Sequence, residues 1–374
     1  MHFLQSVTAA ALRFPARPVG VSAMLYRRMG STAASTAASI EPYSPGRLAK
    51  QVAARHPTKH TLFVAKTVAE MRQARHELRQ VQFQQQQQEG GSSPPATSHT
   101  TEVGFVPTMG CLHQGHLSLM RQAKKDSRAV VASIFVNPSQ FAANEDFDKY
   151  PRQDKDDLAM CAKEGVDLVF LPEVAEMYHG STGTDAFGKV GTFVEVRGKS
   201  QLLEGSVRPH FFLGVATVVS KLFNIVQPTT AFFGQKDVQQ CVILRQMVHD
   251  LFMPLNIRVC PTVREKDGLA MSSRNVYLSP EERAIAPIMY RGMQAALNEH
   301  YLKRGERSAA ALREVVRQVI ATEPSVTIQY ISIADGNSLQ EVDTIDDKNG
   351  AILSGAIKVG KTRLIDNILL DFKM

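Results

Sequence analysis

The sequence predicts an α/β protein, with a parallel sheet covered by helices on both faces and a smaller α+β unit after it. From Val103 onward, continuous apolar runs alternate with helical patterns, which is typical of strands that are buried on both faces. After Arg264, two helical patterns precede three β-branched runs. A chain of 374 residues, 44% of them hydrophobic, is long enough for about two domains.

The N-terminal forty residues contain arginine, serine, alanine and threonine but no Asp or Glu. This composition is typical of a mitochondrial transit peptide, so we predict a mitochondrial location, with a cytoplasmic one as the alternative. We expect residues 1–58 to form a targeting or disordered extension. Four of the seven net positive charges lie in residues 1–40, and the rest of the chain has too weak a basic character to predict nucleic-acid binding. No apolar run reaches the length of about 18 residues that a membrane span requires.

The remaining chain divides into two predicted domains. Residues 59–262 would hold the parallel sheet, with a glutamine-, glycine- and proline-rich insertion at about 82–101, and residues 263–374 would form the smaller domain. A helix that continues into the polyglutamine is the alternative for the insertion. Predicted strands are 61–65, 103–106, 129–136, 166–171, 230–233, 257–260, 327–334, 351–359 and 362–372. Predicted helices are 68–78, 116–125, 154–164, 215–226, 238–252, 280–303 and 308–322.

Two histidines, His113 and His116, follow the predicted strand at 103–106 within a turn that contains Gly110 and Gly115. A strand–turn–helix junction directs free backbone N–H groups and the positive end of a helix at one point, which suits a phosphate. The histidines are one helical turn apart and can both donate hydrogen bonds there. Gly115 would let a ligand approach where a Cβ would block it. This junction is the predicted centre of the site.

Polar and apolar candidates for substrate contact follow other predicted strands. Asn137 and Gln140 lie just past a strand, and their amides can bind a hydroxyl and a carboxylate together. The alternative for Asn137 is that it caps the turn. Val218 and Val219 could form the wall around an apolar part of a substrate, with helix packing as the alternative. The four cysteines show neither metal-site nor disulfide spacing. We interpret Cys111 as a small apolar residue that fills space in the core.

Charged candidates lie in two further stretches. Lys236 could neutralise phosphate charge and Asp237 could hold ribose hydroxyls, although an exposed Lys–Asp pair at a helix start is the alternative. Ser272, Ser273 and Arg274 follow a glycine-containing turn and could bind the pyrophosphate leaving group, because arginine makes bidentate contacts with phosphate oxygens.

Taken together, these stretches resemble the pantoate–β-alanine ligases, enzymes of the HxGH nucleotidyltransferase superfamily. The resemblance runs from about residue 61 to the C-terminus. It rests on six ordered motifs, at residues 107–116, 133–141, 150–152, 233–240, 267–275 and 362–367.

The resemblance implies a Rossmann-like nucleotide-binding domain, a C-terminal lid domain and a homodimer, with no nucleic-acid or membrane partner. It also implies ATP-dependent condensation of pantoate with β-alanine through a pantoyl adenylate, with Mg²⁺ accompanying ATP and no metal bound by the chain itself. The catalytic residues would be His113, His116 as a proton donor, Lys236 and Arg274. The implied ATP contacts are Met109, Gly110, Cys111, Leu112, His113, Gln114, Gly115, His116, Gly234, Gln235, Lys236, Asp237, Val263, Met271, Ser272, Ser273 and Arg274. The substrate contacts would be Gln140 and Gln240 for pantoate, with Gln140 also near β-alanine.

Two departures from the family pattern stand out. Gln235 replaces a glutamate found in many relatives, which removes a charge near the nucleotide. His210 lies one place early in its motif, with Leu213 where an Arg or Ala is frequent, so we assign His210 no catalytic role. Another HxGH nucleotidyltransferase, a nucleotide-binding protein without turnover, and a tRNA-binding relative of class I synthetases are the competing interpretations.

Overall fold

Seven strands form the larger of two sheets in the computed structural model, which describes residues 38–54, 60–88, 101–142, 145, 147–179 and 191–374. Their order across the sheet is β1-β2-β5-β4-β3-β6-β7, and all six pairings are parallel. The strands are β1 (Ser39–Pro42), β2 (Thr61–Ala65), β3 (Thr101–Thr108), β4 (Ser127–Ile134), β5 (Leu168–Phe170), β6 (Thr230–Gly234) and β7 (Asn256–Cys260).

Helices cover both faces of this sheet. They are α1 (Arg47–Ala53), α2 (Val68–Gln88), α3 (Gln114–Asp126), α4 (Asp154–Lys163), α5 (Val174–Met177), α6 (Glu204–Val207), α7 (Phe211–Val226) and α8 (Val238–Asp250). Successive strand residues enter different cores: Phe105 packs in the cluster that contains α7 residues, whereas Val106 packs in the cluster that contains α3 residues. Because both faces are buried, the strands are continuously apolar rather than alternating.

A three-stranded antiparallel sheet, in the order β10-β9-β8, follows. Its core is shared with the adjacent helices. The elements are α9 (Pro280–Ile285), α10 (Ile288–Ala295), a π-helical segment (Ala296–Leu302), α11 (Ala309–Ile320), β8 (Val326–Ala334), β9 (Ala351–Val359) and β10 (Thr362–Leu370). A parallel sheet with helices on both faces followed by a smaller α+β unit is thus confirmed.

The N-terminal boundary predicted for the fold is wrong. Strand β1 and helix α1 fall inside the expected extension of residues 1–58, yet β1 pairs with β2 and Leu48 of α1 is fully buried. Glu77 of α2 fixes this segment, because it accepts hydrogen bonds from Tyr43 Oη at 2.8 Å and from the backbone N–H of Gly46 at 2.9 Å. Residues 1–37 lie outside the described part of the chain.

Two predicted helices also differ from the observed ones. Helix α2 continues to Gln88, so the polyglutamine extends a helix as the alternative interpretation held, and residues 89–100 lie outside the described residues. The helix predicted at 280–303 is interrupted at Pro287, because a proline has no N–H to donate and its ring clashes with the preceding turn. A π-helical segment, Ala296–Leu302, then follows α10.

Candidate active site

The predicted site residues meet at the carboxyl ends of β3 and β6. These neighbouring strands mark the point where the chain, after building β4 and β5 on one side of β3, crosses to the other side. Such a switch point leaves a crevice in open parallel sheets. A cavity of about 220 Å³ lies there, lined by Met109, His113, Gly115, His116, Asn137, Gln140, Val218, Val219, Gly234, Lys236, Asp237, Gln240, Val263, Met271, Ser272, Ser273 and Arg274.

The two histidines form a reciprocal cap at the start of α3. His113 Nδ1 accepts a hydrogen bond from the backbone N–H of Gly115 at 3.1 Å, and His116 Nδ1 accepts one from the backbone N–H of His113 at 3.3 Å. The ring centroids are 4.1 Å apart. Because both Nδ1 atoms accept, each neutral ring carries its proton on Nε2. The Nε2–H groups are therefore the donors that the pair can offer to a ligand.

Burial keeps both rings neutral. Desolvation, followed by the nearby Lys236 cation, lowers the pKa of His113 to about 4, although Asp237 opposes the shift. Desolvation, then His113 and Lys236, holds the pKa of His116 well below its ordinary value. The pair can thus donate hydrogen bonds at neutral pH without carrying charge.

Asp157, a residue that sequence reasoning missed, fixes the turn that precedes the histidines. Its carboxylate, which is fully buried on α4, accepts hydrogen bonds from the backbone N–H groups of Cys111 and Leu112, both at 2.8 Å. Desolvation raises the pKa of Asp157, and these two hydrogen bonds partly oppose the shift. Gly110, at φ +80°, leaves room for the carboxylate, which would lie 2.9 Å from a Cβ there. The only sequence signal was a carboxylate on the face of the predicted helix at 154–164.

Gly115 has a structural role that the sequence did not predict. A Cβ at this position would lie 2.8 Å from both Cε1 and Nδ1 of His113. The glycine therefore makes room for the capping imidazole. Gly115 also lines the cavity, so its predicted role in admitting a ligand stays a prediction.

Asn137 holds the turn that carries Gln140. Its Oδ1 accepts hydrogen bonds from Ser139 Oγ at 2.9 Å and from Tyr178 Oη at 2.6 Å, while its Nδ2 donates to Gln140 Oε1 at 3.1 Å. The backbone N–H of Ser139 also donates to Oδ1, as a cap of the 3₁₀ turn Pro138–Gln140. These contacts bear out the alternative that Asn137 caps the turn, and through them Asn137 positions Gln140. Asn137 also lines the cavity, so its role as a substrate contact stays a prediction.

Helix α7 approaches the same turn closely enough to require a glycine. A Cβ on Gly214 would lie 2.1 Å from the carbonyl oxygen of Ser139. This contact places Val218 and Val219 at the cavity wall, where both are also buried in the core. Both interpretations of the valine pair, helix packing and cavity wall, therefore hold.

Arg208, which the sequence did not single out, also lines the cavity. Its guanidinium makes a bidentate ion pair with Glu145, with both N–O distances 2.6 Å, and lies 3.8 Å from the centroid of the Phe211 ring. Arg208 Nη2 also donates to the carbonyl oxygen of Gln140 at 3.2 Å. It thus supports the backbone of Gln140, whereas Asn137 holds its side chain. The signal available in the sequence was an arginine just before an otherwise apolar helix.

A short hairpin brings the serine–arginine stretch to the cavity. The backbone N–H of Met271 donates to the carbonyl oxygen of Val263 at 3.0 Å, which sets these two residues side by side. Ser272 Oγ accepts from the backbone N–H of Arg274 at 3.3 Å, and Ser273 Oγ lies 3.0 Å from Tyr150 Oη. The hairpin is therefore tied to the domain that carries the histidines.

Five predicted ATP contacts do not line this cavity: Gly110, Cys111, Leu112, Gln114 and Gln235. Gly110 and Leu112 shape the histidine turn. Cys111 is buried and its thiol pKa is raised by desolvation, which agrees with an apolar filler. Gln114 accepts a hydrogen bond from Arg121 at the exposed face of α3. Gln235 contacts the second sheet instead.

A larger cavity, of about 860 Å³, adjoins the first. The two share seven lining residues, Arg208, Phe211, Lys236, Asp237, Gln240, Ser272 and Arg274. Its far wall is formed by strand residues of the second sheet, among them Tyr330 and Arg363. The shared residues thus face a cleft that both sheets border.

Comparison with known proteins places the chain in a family. A family profile described as pantoate-beta-alanine ligase matches residues 64–369. The chain belongs to the pantoate–β-alanine ligase family. Pantothenate synthetases of Herpetosiphon aurantiacus and Chloroflexus aggregans are both 52% identical to it over 269 residues, or 72% of this chain, covering 94% and 93% of those proteins. The predicted family and its ligase activity are confirmed.

Solved structures of pantothenate synthetases have the same fold as this chain. A pantothenate synthetase crystal structure from Thermus thermophilus superimposes with a TM-score of 0.69 at 40% identity, covering 83% of this chain and 99% of that one. A pantoate–β-alanine ligase from Francisella tularensis, solved in complex with beta-gamma ATP and β-alanine, gives a TM-score of 0.61 at 30% identity, covering 82% and 97%. The fold of this family is therefore the fold described above.

The predicted mitochondrial location is corrected by the same relatives. The similar curated proteins come from bacteria such as Herpetosiphon, Chloroflexus and Acidobacterium, and bacteria have no mitochondria. None of these relatives points to that organelle. Within the described residues, no helix is both long and apolar enough to span a membrane.

Proposed function

We propose that this chain joins pantoate to β-alanine in two steps that consume ATP. In the first step, a carboxylate oxygen of pantoate attacks the α-phosphorus of ATP, and the bond to the bridging oxygen breaks to release pyrophosphate. In the second step, the amine nitrogen of β-alanine attacks the carbonyl carbon of pantoyl adenylate. AMP leaves with the former carboxylate oxygen, the amine loses a proton, and pantothenate is formed.

One observation carries this proposal: groups suited to phosphates and groups suited to a hydroxy acid line the same cavity. His113, His116, Lys236 and Arg274 can contact phosphate oxygens, and Gln140 can contact a hydroxyl or a carboxylate. Phosphoryl-type transfer depends on positioning and on stabilisation of negative charge more than on covalent catalysis. The arrangement of these side chains supplies both.

The histidines would act as neutral donors. Their Nδ1 atoms accept backbone hydrogen bonds, and burial lowers the pKa of each ring. We infer that His116 donates its Nε2–H to a phosphate oxygen as a hydrogen bond, which refines the proton-donor role that the resemblance implies. The N-terminus of α3 would add its positive end to the same oxygens.

The remaining ATP contacts would divide between the phosphates and the nucleoside. Lys236 and Arg274 would neutralise the charge that develops on pyrophosphate, and Asp237, whose side chain is half exposed, would accept from ribose hydroxyls. Met271 and Val263, held side by side by their backbone hydrogen bond, would contact adenine. Removing one donor of this kind commonly lowers kcat by about 10²–10³-fold.

Pantoate would bind between the amides and the valines. Gln140 donates its Nε2–H to Met109 Sδ at 2.9 Å, and a carboxylate or hydroxyl oxygen is a stronger acceptor than a thioether. Gln240 would hold the other polar end, with Val218 and Val219 against the apolar part of the acid. Since Gln140 faces the reacting carboxylate in this arrangement, β-alanine would enter beside it.

Mg²⁺ fits this site as a companion of ATP. Among the described residues, no three histidine, cysteine, aspartate or glutamate side chains are grouped to hold a metal ion. Asp237 would be the carboxylate nearest the phosphates. Mg²⁺ commonly binds through one or two carboxylates, waters and substrate phosphates, and would neutralise triphosphate charge.

We also propose that residues 263–374 act as a lid and that the protein is a homodimer. The lid is supported by hydrogen bonds across the cleft, such as Tyr277 Oη to the carbonyl oxygen of Lys149 at 3.3 Å.

A dimer is supported by the exposure of Leu251 and Phe252, the latter 90% exposed, between α8 and the edge strand β7. Light scattering after size-exclusion chromatography tests it, and a monomeric mass at micromolar concentration would contradict it.

The test of the proposed reaction is pyrophosphate release from ATP, with pantoate and β-alanine added separately and together. We expect release with pantoate, and AMP formation with sustained turnover only when β-alanine is also present. Release with a nucleotide or a phosphorylated alcohol but not with pantoate would instead assign the chain to another nucleotidyltransferase. ATP binding without release under any condition would indicate a binding protein.

A further inference from the structure

The turn that carries Lys236 is fixed by a residue from the second sheet. Gln235, Lys236 and Asp237 form a single 3₁₀ turn between β6 and α8, and no side chain of the turn caps the start of α8. Asn367 of β10, which is 1% exposed, reaches this turn across the boundary between the sheets. Its Nδ2 donates to the carbonyl oxygens of Gln235 at 2.8 Å and of Lys236 at 2.9 Å.

The same amide makes a third hydrogen bond, which depends on the residue at position 235. Asn367 Oδ1 accepts from Gln235 Nε2 at 3.2 Å. Because both hydrogens of Nδ2 are used on carbonyl oxygens, the Asn367 amide cannot turn over to offer a donor. An ionised glutamate at position 235 would therefore place a carboxylate oxygen, which can only accept a hydrogen bond, opposite Asn367 Oδ1, which is also an acceptor. The glutamine at position 235 supplies the donor that Asn367 Oδ1 accepts, which an ionised glutamate could not.

The neighbouring residue, Asp366, holds the hairpin in a similar way. Asp366 is buried and forms a bidentate ion pair with Arg264, with N–O distances of 2.5 and 2.8 Å. Arg264 also donates to the carbonyl oxygen of Gly268 at 3.1 Å and lies 3.7 Å from the ring centroid of Tyr290. Consecutive residues of one strand thus hold both the lysine turn and the hairpin that carries Met271.

We propose that Asn367 and Gln235 form an amide clasp that positions Lys236 for the reaction, so that the second sheet takes part in catalysis without touching the substrate. The proposal rests on the proposed function, because it is the phosphate contact of Lys236 that the clasp would set. Asn367 is a positioning residue. A displacement of about 1 Å at a reacting group can lower the rate by about 10²-fold.

The first variant is Asn367→Asp, which keeps the shape of the side chain but removes both donors and places a carboxylate beside two carbonyl oxygens. We expect kcat for pyrophosphate release to fall by about 10²-fold while KM for pantoate stays unchanged, since Gln140 is held by other contacts. Gln235→Met removes one hydrogen bond without adding charge and should lower kcat by about tenfold. Asn298→Asp, at an exposed asparagine that donates to Gln294, is the matched control and should behave as wild type.

Thermal unfolding distinguishes positioning from stability. If Asn367→Asp and Gln235→Met keep the wild-type kcat while their Tm falls, Asn367 only stabilises the fold and the clasp is refuted. If Asn367→Asp does not fold, the half-buried Gln235→Met carries the test alone, and a wild-type kcat there refutes the clasp. Combining the variants should give less than the product of their separate effects, because both remove the same contact.

Titration of a non-hydrolysable ATP analogue separates failure of the clasp from failure of the proposed function. If wild type releases no pyrophosphate with pantoate, the proposed function fails. The clasp is then judged by analogue binding, for which we expect the Kd of Asn367→Asp to rise by about tenfold over that of Asn298→Asp. An equal Kd for the two variants, with or without turnover, would show that Lys236 does not depend on Asn367.

Discussion

Replacing His113 with asparagine should separate its role as a helix cap from its role as a titrating group. Asparagine is among the best N-cap residues, so the hydrogen bond from the backbone N–H of Gly115 has a substitute acceptor. The ring that burial and Lys236 keep neutral is lost. We therefore expect His113→Asn to fold with nearly wild-type stability at pH 7.5, and to lose the Nε2–H donor and with it about 10²-fold in kcat.

The size of the change in the free energy of unfolding at acidic pH follows from the pKa of His113. Its pKa falls from an ordinary 6.5 to about 4 in the folded chain, so between these values the unfolded chain binds more protons than the folded one. The free energy of unfolding must then decrease as pH falls through this window. A shift of this size, at 1.36 kcal/mol per pKa unit, corresponds to about 3 kcal/mol at its limit and about 2–3 kcal/mol by pH 4.5.

Urea unfolding followed by far-UV circular dichroism, from pH 7.5 to pH 4.5, measures this effect. The difference between the wild-type and His113→Asn curves reports His113 together with the part of the lowered His116 pKa that His113 causes, and both contributions have the same sign. We expect the variant to lose about 2–3 kcal/mol less than wild type across this range. Parallel curves would refute the conclusion that His113 is held neutral, and a large loss at pH 7.5 would refute the capping argument.

Three other substitutions test the supports of the site. Asp157→Asn leaves one of two backbone N–H groups facing a donor and should lower kcat by about 10²-fold with little change in the Kd of a nucleotide analogue; an unchanged kcat would remove Asp157 from the positioning role. Gly115→Ala places a Cβ 2.8 Å from the His113 ring, so we expect a loss of about 1 kcal/mol in urea unfolding, and full stability would contradict the capping geometry. Gln140→Ala should raise KM for pantoate in steady-state assays, whereas an effect on ATP alone would contradict its assignment.

The sequence predicted the strands well because their signal is local. The bounds of β2 and β9 match the prediction, since continuous apolar runs indicate burial on both faces. Strand β1 was missed because four residues that include a glutamate and a proline carry no such pattern. The break at Pro287 was passed over because the apolar spacing continues beyond it.

The parts of the site that were missed depend on contacts distant in sequence. Asp157 supports a turn about 45 residues earlier, and Asn367 reaches a turn more than 130 residues earlier, so neither role has a local signature. Asn137 was predicted as a substrate contact, with turn capping as the alternative, because its residue type suits both tasks. Only the structure reveals that Ser139, Tyr178 and Gln140 already use its amide.

The strand order has a consequence for synthesis on the ribosome. Strand β2, fully buried in the finished sheet, pairs on one side with β5, which begins about 100 residues later in the chain. At a translation rate of about 5–20 residues per second, the β2 segment stays without this neighbour for about 5–20 s after it is made. Its apolar residues Leu62 to Val64 are accessible to chaperones, or to other nascent chains, during that interval.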